Sequence, residues 1–160
     1  ALANKDRESA ALYLERLALA DTTDIASLVR LEHLNRERGD DAGLRRALTE
    51  HHRRDPSSIT VICELAELLI RGGDHGEAFP LLQRGITLSP DNGKLRILLG
   101  DYYLKKGDRE RALAEFRRAL DDERWRPSAQ QFIWSVERPE SDTEKAEREF
   151  FNRGKTDPSR

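Results

Sequence analysis

The sequence has one cysteine, Cys63, and no methionine. A single thiol excludes an internal disulfide and makes a zinc ribbon or an iron-sulfur site implausible. It leaves the redox compartment open. Methionine is missing even at position 1, which points to an excised segment or a processed product. Ala1-Leu2-Ala3 has the spacing of a signal-peptidase site but lacks the apolar stretch that precedes one. No apolar run approaches the roughly 18 to 20 residues of a membrane-spanning helix, so no membrane insertion is expected of this segment. Excess charge is lacking too: 28 Lys plus Arg against 30 Asp plus Glu give a net charge of -2. That balance supplies no global field for nucleic-acid phosphates, so a nucleic-acid partner is not expected.

Catalytic signatures are also missing. There is no G-x-S-x-G, no phosphate-cradling glycine loop and no H-E-x-x-H. The imidazoles are His33, His51, His52 and His75. His51 and His52 are adjacent, and neighbours on a helix point about 100° apart, too far to chelate one metal. They read as a solvated or partly packed surface. Cys63 reads as a small half-buried residue and not as a nucleophile. Basic runs such as His52-Arg53-Arg54 and Arg117-Arg118 fall at predicted helix C-termini, where cations complement the helix dipole. The expectation is of no catalytic residue, no metal, no cofactor and no enzyme activity.

What the sequence does contain is a repeat. Gly39-Asp40, Gly73-Asp74 and Gly107-Asp108 recur at one constant interval, that from position 39 to 73 and again from 73 to 107. The same interval relates Pro56 to Pro90, Ala78 to Ala112, Leu31 to Leu65 and Leu99, and Leu48 to Leu82 and Phe116. Each period reads as two helices. Leu95, Leu98, Leu99 and Tyr103 share one helical face, as do Ala112, Leu113, Phe116, Ala119 and Leu120. Gly107 suits the left-handed residue that ends a helix, and Asp108 suits the cap that opens the next. Asp74 with Glu77 reads as a capping box. Pro80 conflicts with its predicted helix, where it removes a backbone donor, and implies a kink or a helix starting late near Gly76.

Leu99-Gly100, Tyr103, Ala112, Phe116 and Ala119 follow the pattern W-x2-L-G-x2-Y, A, F, A of the tetratricopeptide repeat family, which the chain resembles. Leu65-Ala66, Leu69, Ala78, Leu82, Gly85 and Pro90 match it less completely. The resemblance implies an all-α, right-handed superhelical solenoid of antiparallel helix pairs. Small residues at Gly100, Ala66, Ala78 and Ala112 let paired helices approach. Residues 25–58 form a degenerate copy, with Glu32, Leu44 and His51 where small residues are preferred. The expected organisation is the second helix of a truncated leading repeat (1–24), that degenerate repeat, two fuller repeats (59–92 and 93–126), C-terminal capping helices (127–153) and a disordered tail (154–160). Pro127 comes three residues later than the period predicts, so an insertion is expected in DDERWRP. Trp125 and Trp134 are expected to cap the last open face. Residues 141–153 read as a short helix carrying Ala146, Phe150 and Phe151.

In the family it resembles, successive first helices line a concave groove that holds a partner peptide or helix. The repeat register places Val29, Cys63 and Ile97 in one groove row and His33, Glu67 and Asp101 in the next. Arg36, Ile70 and Leu104 form a third, with Glu37, Arg71 and Lys105 beside it. This predicts an apolar strip flanked by charges, suited to a protein or peptide partner with apolar anchors and a cation. Val29, His33 and Cys63 stand where family members that grip chaperone tails carry Lys and Asn, so that clamp is not expected. The alternatives are a self-associating scaffold or homodimer, and a regulatory arm of an enzyme lying outside the segment.

Overall fold

The computed structural model describes residues 2–20 and 24–138, without the side chains of residues 2–5 and 19. The described residues form α1 (Leu2–Ala20), α2 (Ile25–Arg38), α3 (Asp41–Arg54), α4 (Ile59–Gly72), α5 (His75–Leu88), α6 (Gly93–Lys105), α7 (Arg109–Arg118) and α8 (Arg126–Glu137). A 3-10 turn over Ala119–Asp121 follows α7. The expected segment 141–153 and tail lie outside the described residues. Helices α2 and α3, α4 and α5, and α6 and α7 pair as antiparallel hairpins that stack into a solenoid.

The local chemistry explains the boundaries. Gly39, Gly73 and Gly107 sit at φ +66°, +84° and +79°, the left-handed turn that lets one helix end and the next reverse. Asp40 and Asp108 accept hydrogen bonds from the backbone amides of Gly43 and Arg111, at 2.8 and 3.0 Å, and so cap α3 and α7. Asp74 departs from this pattern. It makes no cap bond. Instead Asp74 and Glu77 both take the guanidinium of Arg45 on α3, so the expected capping box is replaced by an ion-pair link between successive second helices. The α5 helix starts at His75 and runs through Pro80, which is exposed and forgoes one backbone bond on the solvent side.

No insertion displaces α8. Pro127 lies in its first turn, where a missing amide costs no helical bond, and is not a displaced counterpart of Pro90. Ala129, fully buried, stands one period after fully buried Leu95. Trp125 packs half-buried against the second core. Trp134 is 65% exposed and covers no core among the described residues.

One core joins α3 to α6 around Leu48, Ile62, Ala66, Leu69, Leu82 and Leu95. A second gathers Ile97, Ala112, Phe116, Ala119, Ala129 and Val136. Gly100 is required in it, since a methyl there would collide with the Phe116 ring. In the degenerate repeat two of the three oversized residues meet: Glu32 Oε1 lies 2.7 Å from His51 Nδ1, both buried. His51 is therefore an interior group and not a surface one. Burial raises the Glu32 carboxyl, and the hydrogen bond with His51 opposes that rise.

Candidate functional site

The first helices α2, α4 and α6 carry the groove positions on 14-, 14- and 13-residue segments. The register brings their rows to one face, but the side chains separate into two populations. Val29 is 48% exposed, whereas Cys63 and Ile97 are 4% and 7% exposed. Ile70 is also buried, at 3%. These three side chains belong to the cores, so the expected continuous apolar strip is not an open surface. Of the first helices, α4 and α6 pack directly against each other. Burial lifts the Cys63 thiol to about 11, which removes it as a nucleophile near neutral pH.

The polar rows do face solvent. His33 sits 3.4 Å from Glu37 one turn on, with both exposed. Glu67 is exposed and pairs with Lys94 of α6 at 3.2 Å. Lys94 also lies 5.8 Å from the centre of the Trp125 ring. Arg36 reaches Glu64 of α4 at 2.7 Å. Arg71 reaches Asp41 at the start of α3, at 3.0 Å. Asp101 and Leu104 are half-buried, and Lys105 is exposed. Asp101 and Lys105 have no ion-pair partner among the described residues.

Two bridges that sequence reasoning did not name therefore cross this face, Arg36–Glu64 and Glu67–Lys94. Their signal was present as opposite charges on neighbouring first helices, but which rotamers meet cannot be read from spacing alone. Exposed pairs of this kind contribute about 0–1 kcal/mol, so a ligand can exchange them for its own charges at little cost. The surface is thus a charged, mixed-sign face with Val29 and Leu104 as accessible apolar points. Among the described residues no group of three or more His, Cys, Asp or Glu could hold a metal ion. No described helix is long and apolar enough to cross a membrane.

The tetratricopeptide repeat family matches residues 69–132. No curated protein sequence matches the chain. Solved structures do. A MamA segment from Desulfovibrio magneticus RS-1 is 18% identical, with TM-score 0.69, over 95% of this chain and 85% of that one. A thermophilic tetratricopeptide repeat protein of Thermus thermophilus is 20% identical, with TM-score 0.61, over 84% of this chain and 75% of that one. A mutant O-GlcNAc transferase of Thermobaculum terrenum is 24% identical, with TM-score 0.60, over 70% of this chain but 22% of that one. Repeat spacing, paired helices and these likenesses agree on the fold: residues 69–132 match the tetratricopeptide repeat family, and the described residues form a helical-repeat solenoid like those solved structures.

Proposed function

We propose that the chain is a protein-binding module whose first-helix face receives a peptide or helix of a partner protein. The observation that carries this reading is the row His33, Glu67 and Asp101, exposed at the first two and half-buried at the third, one residue per successive first helix, with the exposed Glu37, Arg71 and Lys105 alongside. Charge of both signs at regular spacing suits a partner segment of mixed charge, anchored by apolar side chains near Val29 and Leu104. The buried Cys63, Ile70 and Ile97 set the spacing of the helices beneath the partner and do not touch it. Affinity capture from lysate of the source organism tests the reading, comparing the wild type with a folded Glu67→Lys, Asp101→Lys variant. A partner retained by the wild type and lost by the variant supports it, and identical retained sets refute it.

A second reading, self-association, is favoured by α1. Leu44, Ala47, Leu48 and His51 of α3 are at most 8% exposed. Their counterparts one period earlier are Ala10, Tyr13, Leu14 and Leu17, of which Tyr13 is 66% and Leu17 36% exposed. An apolar helix face that its repeats elsewhere cover is open here. Sedimentation across a concentration series separates the two readings. Mass rising with concentration, abolished by Tyr13→Glu with Leu17→Glu, favours a homo-oligomeric scaffold, and a constant monomer mass excludes it.

A further inference from the structure

A cleft of about 430 Å³ lies between α1 and α3 with α2 as its floor. Its size falls in the range of small-ligand sites. The repeat register explains why it is open. Ala11, Ala18, Gly43 and Ala47 line it. The same columns one period on hold Arg45, His52, Glu77 and Leu81, and there Arg45 spans the gap to Asp74 and Glu77. A further period on they hold Phe79, Ile86, Arg111 and Glu115. Small side chains make room without saying for what.

Asn35 supplies the chemistry. Its column holds Leu69 and Tyr103 in the next two repeats, both packed against core residues. Asn35 lines the cleft and is 3% exposed, and its carboxamide has no hydrogen-bond partner among the described residues. A methyl on Gly43 would fall 3.0 Å from its Cγ, so the glycine leaves the amide its place. The amide opens onto the cleft, where it offers one acceptor together with two donors.

The charges around the cleft are largely neutralised by one another. Glu15 faces Arg46 at 3.7 Å. Glu50 is held by Arg53 and Arg54, each at 2.7 Å. Asp40 is engaged by the Gly43 amide at 2.8 Å. Glu8 and Arg38, of opposite sign, complete the lining. With Arg53 and Arg54 counted beside Arg38 and Arg46, the bases match Glu8, Glu15, Asp40 and Glu50 and no net formal charge selects an ion, while Leu28 and Leu31 offer an apolar floor.

We propose that the α1–α3 cleft binds an uncharged, apolar peptide segment, pairing a main-chain amide with the Asn35 carboxamide and seating apolar side chains over Leu28 and Leu31. This site is distinct from the first-helix face and does not depend on that face being a docking surface. The test is titration of 15N-labelled protein with acetyl-leucyl-leucinamide, following the Asn35 side-chain amide resonances, alongside leucyl-leucine with free charged termini. The capped peptide should shift those resonances saturably, and the charged one should bind at least about tenfold more weakly. Ala47→Leu and Asn35→Leu install residues that the next repeat carries in the same columns, Leu81 and Leu69. Each should weaken the capped peptide at least about tenfold. The absence of a saturable shift in the wild type, equal affinity for the two peptides, or undiminished affinity in either folded variant overturns the proposal.

Discussion

Phe116 is fully buried, stacks on Phe132 with ring centres 4.9 Å apart, and fills the space beside Gly100. Ala112 is likewise fully buried at the crossing of α6 and α7. Ala112→Arg forces a cation into that crossing without a partner, and a loss of about 3 kcal/mol or more is expected by thermal and urea denaturation. Unchanged stability would contradict the register. Glu50 carries a different kind of test. Hydrogen bonds from Arg53, aided by Arg54, hold its carboxyl at about 2, below its ordinary 4.5. A depressed carboxyl contributes stability above its unfolded value and loses it as pH falls, here between 4.5 and about 2. The wild type should therefore lose stability relative to Glu50→Gln across that window, and parallel stability curves would refute the pairing. At this scale the sequence is legible where one residue type has one use, as at Gly100 and Ala112. It is opaque where two misfits compensate: Glu32 and His51 look like errors singly and form a buried pair together.

Among the helices, caps distinguish repeats that look alike. Asp108→Ala removes an amide partner at the start of α7 and should cost about 1 kcal/mol in urea denaturation. Asp74→Ala removes no cap bond, only one partner of an exposed Arg45, and should cost less. Equal losses would show that the shared Gly-Asp motif caps both helices. Helix order and turn glycines were legible because the columns of the period repeat in register with helical periodicity. Pro127 misled because proline both ends one helix and opens another, and Pro90, three residues out of register with it, belongs to the first use. The columns themselves never slipped. In the sequence Asp142, Ala146 and Phe150 stand one period after Asp108, Ala112 and Phe116, so the repeat pattern continues beyond the described residues.

For the whole molecule, the register assigned residues to a first-helix face but could not say how far apart its helices stand. That distance decides whether Cys63, Ile70 and Ile97 surface or sink, and packing sank them. The exposed remainder is a face of mixed charge bridged by weak ion pairs, suited to exchange with a partner's charges. Carbodiimide labelling of surface carboxylates, read by mass spectrometry on the free protein and on its complex with a captured partner, tests this most directly. Protection of Glu37, Glu67 and Asp101, with Glu110 on α7 labelled equally in both, is the predicted result. Unchanged labelling of those three with protection confined to Glu8 and Glu15 of α1 would contradict the first-helix face as the binding surface.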